Sequence, residues 1–420
     1  MSRVVKAEPT RRRGERGGAG EHSGAAMKNG WQTKNLGDLC QVIGGGTPPK
    51  DNAKYYSGHI PWATVRDMHS EVITETECKI TKEAVKCSAT NIIPSGNVVI
   101  ATRVGLGKVC LLGQDMAINQ DLRGIVPIDP KVLSVRFLFW WLKSIADSIV
   151  AEGTGATVQG VKLPFVKALQ LPLPPLPEQQ RIVGILDEAF EGIAITRANA
   201  EKNLQNARAL FESHLQSVFT QRGKGWEEKT LEQIAITFGR GKSKHRPRNE
   251  KKLYGGKYPF IQTGDIRNAD HFITEYSQTY SEAGLAQSKL WPKGTICITI
   301  AANIAETGIL GFDACFPDSV IGVVANPKEA DVGFVEYLLQ SFKVRLQAKG
   351  KGSAQANINV GTFENERFPF PSVAEQKRIG SMLDVLHEEN QRLATLYERK
   401  LAALEALKES LLHQAFTGRL

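Results

Sequence analysis

With 420 residues, 41% hydrophobic and 23% charged, the chain has the composition of two or three soluble globular units with sizeable cores, which excludes a disordered or fibrous polypeptide. Lysine and arginine exceed aspartate and glutamate by 53 to 44, and the resulting net charge of +9 favours an anionic partner without identifying it. No apolar run reaches the length of a membrane span, and Cys40, Cys78, Cys87, Cys110, Cys297 and Cys315 show neither a CxxC pair nor a companion histidine spacing. The expectation is a cytoplasmic protein with reduced core thiols, no disulfide framework and no zinc site.

Residues 1–30, with RRRGERGGAG and scattered serine and glycine, read as a disordered basic leader, and Met27 is an alternative start just before the first structured pattern. Residues 31–170 form a first globular unit. It opens on the apolar anchor Trp31 and reaches the glycine-rich loop Gly44-Gly45-Gly46. Tyr55 to Trp62 reads as a loop leading into a strand, and IIPSGNVVIATR (92–103) as a Pro-x-Gly turn feeding a buried strand. An amphipathic helix comes next, with Phe137, Leu138, Trp141, Leu142 and Ile145 on one face, and then a loop at Gly153-Thr154-Gly155.

A first long helix occupies residues 171–220. Prolines hold its lead-in extended, none follows inside it, and Glu178 sets negative charge on the first turn. Ile182, Leu186, Ala189, Ile193, Ala200, Leu204, Ala207, Phe211, Leu215 and Val218 recur mostly at alternating spacings of three and four, which is a coiled-coil seam.

After a linker at 221–225 the order repeats. A second unit, 226–367, opens on Trp226, carries the turn and strand LWPKGTICITIA (290–301) and has its own helix at Phe334, Val335, Leu338, Leu339 and Phe342. A glycine-rich loop, Gly350-Lys351-Gly352, precedes a second long helix over 368–420. Pro172, Pro174, Glu178, Gln179, Arg181, Ile182, Leu186 and Asp187 match Pro369, Pro371, Glu375, Gln376, Arg378, Ile379, Leu383 and Asp384 at one constant, ungapped offset. The second seam reads Ile379, Leu383, Leu386, Asn390, Leu393, Tyr397, Leu401, Leu404, Leu407 and Leu411, and a polar Asn390 on a seam can fix register at some cost in stability. A lone helix of about 40 residues, roughly 60 Å long, cannot bury such a stripe, so the two copies are expected to pack on each other. The fold class is α/β, a two-fold pseudo-repeat. The helices match well and the globular units keep turns and strands but differ in their loops, so one scaffold carries two different surfaces.

The strongest electrostatic feature is FGRGKSKHRPRNEKK (238–252), where seven basic residues face the single acid Glu250. A loop so basic can neutralise several phosphates and set an arginine against guanine edges. Its counterpart GGGTPPK (44–50) is far less charged. Gly241-Lys242-Ser243 lacks the leading glycine of a P-loop, since that position is Ile236, and Glu77-Cys78-Lys79 lacks the Pro-Asp of a nuclease motif. No GxSxG, HExxH or paired histidines appear, so no catalytic residue and no metal site is assigned. Asp121 and Asp318 recur at the offset of the repeat and read as turn or framework residues.

The paired halves, the lead-in LPLPPLPEQQRI, ATRVGLGK after a strand, Ala117-Ile118-Asn119-Gln120 and the closing Gln414-Ala415-Phe416-Thr417-Gly418 together resemble the specificity subunit of type I restriction-modification systems, over about residues 31–420. The resemblance implies two target recognition domains separated by two long helices in an antiparallel coiled coil. It also implies double-stranded DNA as ligand, two modification subunits that bind S-adenosylmethionine and methylate adenine at N6, and restriction subunits that use ATP and Mg and cleave DNA. No Asn/Asp-Pro-Pro-Tyr/Phe tetrapeptide and no complete ATP motif occurs in this chain, in keeping with chemistry in partner chains. One departure is Ala374, which stands where the first copy has Pro177, at the start of the helix.

The DNA-contacting candidates are Thr47, Lys50, Arg66, Arg103 and Lys108 in the first unit, and Arg240, Lys242, Lys244, Arg246, Arg248 and Gln262 in the second. Each lies in or beside a predicted loop. The competing readings are a protein-binding adaptor, which the basic loop argues against, and a fused nuclease or methyltransferase, whose catalytic residues are missing from the sequence.

Overall fold

The computed structural model describes residues 30–154, 160–244, 247, 250–301, 303–350 and 365–420. Residues 1–29 of the leader, Gly155, Lys351, Gly352, Arg246 and Arg248 lie outside that set. The chain folds as two compact units. One runs up to Arg197 and takes back Ala402–Leu420; the other is Ala198–Leu401. The boundary falls inside the long helices, so each globular body is one piece with the helix segments it packs on.

The two units repeat strand for strand. In the first, a five-stranded sheet orders Cys40–Gly44, Leu122–Pro127, Val98–Ala101, Val109–Leu112 and Val72–Ile73. In the second the same places are held by Ala235–Arg240, Val320–Ala325, Ile296–Thr299, Thr307–Leu310 and Phe272–Ile273. A four-stranded sheet accompanies each, built on Ile60–Ala63 and Met116–Ile118 in one and on Tyr254–Phe260 and Ala314–Cys315 in the other. The five- and four-stranded sheets are mixed, with one parallel pairing apiece, and a two-stranded antiparallel sheet completes each unit, Gln32–Asn35 with Gln170–Leu173 and Glu227–Lys229 with Phe368–Phe370.

Side chains alternate across the central strands. Val98, Ile100, Val109 and Leu111 face the helical layer, while Val99, Ala101, Cys110 and Leu112 face the second sheet. Both faces are covered, which is why these strands read as unbroken apolar runs. The turns feeding them need glycine: Gly96 and Gly294 sit at φ +76 and +82, and each turn is tied by a backbone N–H donating 2.8 Å to an aspartate, Ser95 to Asp115 and Lys293 to Asp313.

Periodicity predicts one buried face for the helix Val135–Ser144, yet Phe137 to Leu142 are all buried. The sheet takes one side and the long helix Leu176–Thr220 takes the other, where Trp140 stacks on Phe190 with ring centroids 4.6 Å apart. Its counterpart, Val332–Gly350, buries Phe334, Val335, Tyr337, Leu338 and Leu339. The second long helix spans Val373–Phe416 and starts at the position equivalent to Leu176, so Ala374 in place of proline leaves the start where it is.

Within each unit the two long helices run antiparallel. Arg181 reaches the carbonyl of Leu420 at 2.7 Å and Arg197 pairs with Glu405 at 3.3 Å in one; Arg208 pairs with Glu398 at 3.1 Å in the other. Ile182, Leu186, Phe211, Ile379 and Leu383 are buried, and Ile193, Leu204, Leu386, Asn390, Leu401, Leu404 and Leu411 are half-buried. Leu393 is a correction: it is 42% exposed, as is Leu407 at 47%, while Ala394 and Lys408 take the inner positions. A helix of 3.6 residues per turn drifts off a strict heptad, and choosing every leucine follows hydrophobicity instead of the helix face. The cysteines are corrected too. Cys40, Cys110, Cys297 and Cys315 are buried, but Cys78 and Cys87 are exposed thiols.

Candidate nucleic-acid interface

Each unit carries a surface cleft at the same place in its repeat, framed by the glycine-rich loop, the end of the strand that holds Trp62 or Phe260, and the turn before Leu122 or Val320. In the first unit the loop is pinned from behind. The carbonyl of Gly46 accepts from Trp62 Nε1 at 3.2 Å and from Thr90 Oγ1 at 2.7 Å, and a Cβ on Gly45 would run into the carbonyls of Ile118 and Asn119. The glycines thus serve close backbone packing and not phosphate binding. Beyond them the loop presents Thr47, whose hydroxyl donates to Gln120 Oε1, and Lys50.

Opposite stands the turn Val65–Asp67, which holds Arg66 out with its side chain 82% exposed. Buried Asp67 is its framework: Oδ2 accepts from Thr64 N (2.7 Å) and Oγ1 (2.9 Å), and Oδ1 accepts from Glu77 N (2.7 Å). A carboxylate so fully used has no oxygen left for chemistry. Asp121, on the third wall, accepts from Asn119 Nδ2 at 3.1 Å and pairs with Arg103 at 3.5 Å. The cleft of about 380 Å³ therefore gathers Thr47, Lys50 and Arg66, with Arg103 joined through Asp121. Lys108 is not on its wall; its ammonium turns to the carbonyl of Met68 at 3.4 Å. Arg123, missed in the sequence, stands behind the wall, its guanidinium donating to the carbonyls of Gln120 (3.1 Å) and Leu122 (2.9 Å). Burial, and then the charge of Arg103, pull its pKa below the usual arginine value, with Asp121 opposing the shift.

In the second unit the equivalent cleft, about 310 Å³, is walled by Ser243, Gln262, Thr263, Gln278, Phe260 and Ser319 among others, and carries amides and hydroxyls instead of charges. Gly241 repeats the role of Gly45, its would-be Cβ meeting the carbonyls of Phe316 and Pro317. Gln262 lies on the wall. Arg240, Lys242 and Lys244 are exposed beside it, flanking Ser243. Lys289, also missed, sits 3.6 Å over the Trp291 ring, and burial together with Lys242 lowers its pKa. Leu122 and Val320 hold the same ladder position, opposite Ala101 and Thr299, so Asp121 corresponds to Ser319. The sequence pairing of Asp121 with Asp318, made at the offset of the helices, is one residue off, because the connection from this strand to the next helix is one residue longer in the first unit (128–134) than in the second (326–331). Gln120 was visible only as part of a motif, and Gln278 gave no signal, being one polar residue in a short strand.

A family model described as the type I restriction modification DNA specificity domain matches residues 28–206 and again 223–398. Among curated proteins, the chain is 22% identical to the type I restriction enzyme MjaIX specificity subunit of Methanocaldococcus jannaschii, over 93% of each. It is 33% identical to the EcoR124I/EcoR124II specificity subunit of Escherichia coli, over 37% of this chain and 40% of that one. Two solved structures share the fold. One, from work on complex assembly and conformational transition of the type I R-M system, has a TM-score of 0.77 at 20% identity, covering 94% of this chain and 99% of the other. The HsdS subunit from Thermoanaerobacter tengcongensis has a TM-score of 0.62 at 21% identity, covering 94% and 98%.

Proposed function

The chain belongs to the family of type I restriction modification DNA specificity domains, of which it carries two, and from that premise we propose how it works as the DNA-recognition subunit of a type I restriction-modification complex. The observation that carries the reading is one framework with two unlike clefts, charged in the first unit and neutral in the second. Two identical readers would select a symmetric target. Two different readers select a bipartite, asymmetric site with an unspecified middle.

Within the first half-site, Thr47, Lys50 and Arg66 face base edges while Arg103 and Lys108 hold phosphates. In the second, Gln262 reads a base and Arg240, Lys242, Lys244, Arg246 and Arg248 hold phosphates. Arginine suits guanine and glutamine suits adenine because each pair forms two parallel hydrogen bonds. The chain itself supplies the address and no bond-breaking chemistry. Two modification subunits bring S-adenosylmethionine and methylate adenine, and restriction subunits bring the ATP- and Mg-dependent cleavage, all in the cytoplasm. No helix among the described residues is long and apolar enough to cross a membrane.

Sequencing of methylated DNA from a host with and without the gene gives the site. In the assembled complex, Lys242→Glu with Lys244→Glu lowers affinity and flattens its salt dependence by about one unit of slope per lost phosphate contact, with the motif unchanged. Gln262→Ala instead relaxes one position of one half-site at an unchanged slope. A symmetric motif, or methyl transfer by this chain alone, overturns the proposal.

A further inference from the structure

One ladder position opens into both clefts and holds unlike side chains in the two units. Trp62 pairs with Cys78 across an antiparallel strand and with Ala117 across a parallel one; Phe260 pairs with Gln278 and Cys315 in the same two ways. Cys78 and Gln278 are therefore counterparts. Directly opposed residues of a strand pair project to the same face, so each stands beside the aromatic ring at the back of its cleft, and each lies on that cleft's wall. Two residues further along the same face, Ile80 and Tyr280 are fully buried. Positions 78 and 278 are thus where each strand leaves the core for the cleft, and both residues are exposed.

The backbone that carries them is fixed. Asp67 Oδ2 accepts from Thr64 N and its Oδ1 from Glu77 N, both at 2.7 Å. In the second unit Asp265 Oδ2 accepts from Gln262 N at 2.8 Å and from the hydroxyl of Ser277 at 3.3 Å. One carboxylate therefore ties the segment bearing Gln262 to the segment bearing Gln278 and sets two amides on one wall. Phe260, opposite Gln278, is buried and stacks on Tyr280 with centroids 4.0 Å apart and planes 17° from parallel, so the support is rigid as well. Among the described residues no hydrogen bond engages the Gln278 amide.

Arg240, Lys242 and Lys244 flank this cleft, whereas its wall holds only uncharged groups. A free amide held there offers an acceptor oxygen and a donor nitrogen side by side, the complement of the N7 acceptor and N6 donor that only adenine shows together in the major groove. The thiol of Cys78 is shorter and a weak donor, and cannot form that pair. We propose that Gln278 is a specificity-determining residue of the second half-site, that it reads an adenine at a position other than the one read by Gln262, and that the first half-site lacks this two-bond contact at the corresponding place. The assignment rests on the reading of the chain as a DNA-recognition subunit.

The test is motif analysis of DNA methylated by the complex assembled with its modification subunits, for the unaltered chain, Gln278→Ala and Gln278→Glu. The alanine variant loses about 10- to 100-fold of discrimination for adenine at one position of one half-site, while the other half-site and the salt dependence of affinity stay as they were. That position differs from the one relaxed by Gln262→Ala. The glutamate variant has the same shape but only accepts, so preference at that position moves to cytosine, whose amino group donates. A bipartite motif left intact by Gln278→Ala, relaxation only where Gln262→Ala acts, a uniform loss at every position, or adenine retained in Gln278→Glu overturns the assignment and leaves the DNA-recognition reading standing. An unaltered complex that methylates without sequence preference removes that reading, and the assignment with it.

Discussion

Gln179 and Gln376 show how much of the repeat rests on single side chains that look unremarkable in the sequence. Each is buried in the first turn of a long helix. Gln179 Nε2 donates to the carbonyls of Val132 and Pro174, both at 2.9 Å, and its Oε1 accepts from Ser134 N at 2.9 Å. Gln376 repeats the set on Glu329 (3.1 Å), Pro371 (2.9 Å) and Asp331 N (2.9 Å). One amide thus fastens the loop before the short helix to the long helix, and removing it strands three backbone groups. Gln179→Ala or Gln376→Ala should cost about 2–3 kcal/mol by chemical denaturation, against about 0.5 kcal/mol for an exposed glutamine. Equal small losses would mean that water replaces the amide freely. The identity of the pair was legible, but its burial was not, because a polar residue beside Glu178 reads as solvent-facing. His271 gave still less signal. Burial alone would lower its pKa, but the hydrogen bond and charge of Glu336, aided by Asp384 and Asp270, raise it on balance. A raised value means the protonated ring stabilises the fold fully below the ordinary histidine range, and that this is lost as pH rises through the raised value. The unfolding midpoint should therefore hold steady below the ordinary histidine range and fall as pH rises above it, and His271→Gln should remove the fall. A slope unchanged in that variant would assign the titration to another group.

Elements differ in how legible they are, and the physical reasons differ with them. The long helices announce themselves because prolines stop before them and the apolar stripe is continuous, and their starts, Leu176 and Val373, agree across the repeat. Their inner faces are harder to read than their existence. Around Leu393 the sequence offers Leu393, Ala394 and Leu396 within four residues, so hydrophobicity cannot say which ones face inward, and the smaller Ala394 wins. This distinction is measurable. Leu383→Ala should cost about 2–4 kcal/mol, whereas Leu393→Gln should stay within about 0.5 kcal/mol; equal costs would mean that the outer face of the helix is covered. The clefts were legible only as loops. Glycine runs and basic residues located Thr47, Lys50, Arg66 and the Arg240–Lys244 segment, but Gln120 and Gln278 come to the walls through strand pairing between segments far apart in sequence, which no local pattern encodes.

At the scale of the whole molecule, the helix Leu176–Thr220 contributes its residues up to Arg197 to one compact unit and those from Ala198 onward to the other, and Val373–Phe416 is divided likewise at Leu401. We propose that the length of these helices sets the distance between the two half-sites read on DNA. Four residues inserted after Arg197, and four more after Leu401, add about 6 Å to each helix, against steps of about 3.4 Å along the duplex. Four residues are slightly more than one turn, so the insertion also rotates the remainder of the helix by about 40°, in the sense that one or two added base pairs can match. The clefts themselves are untouched, since Thr47, Arg66, Ser243 and Gln262 all lie far in sequence from the insertions. The expected outcome is therefore an unspecified middle longer by one or two base pairs between the same two half-sites, read by motif analysis of DNA methylated by the assembled complex. Altered half-sites at the old spacing would show that the helices do not measure the DNA, and that the spacing is fixed by the partner subunits instead.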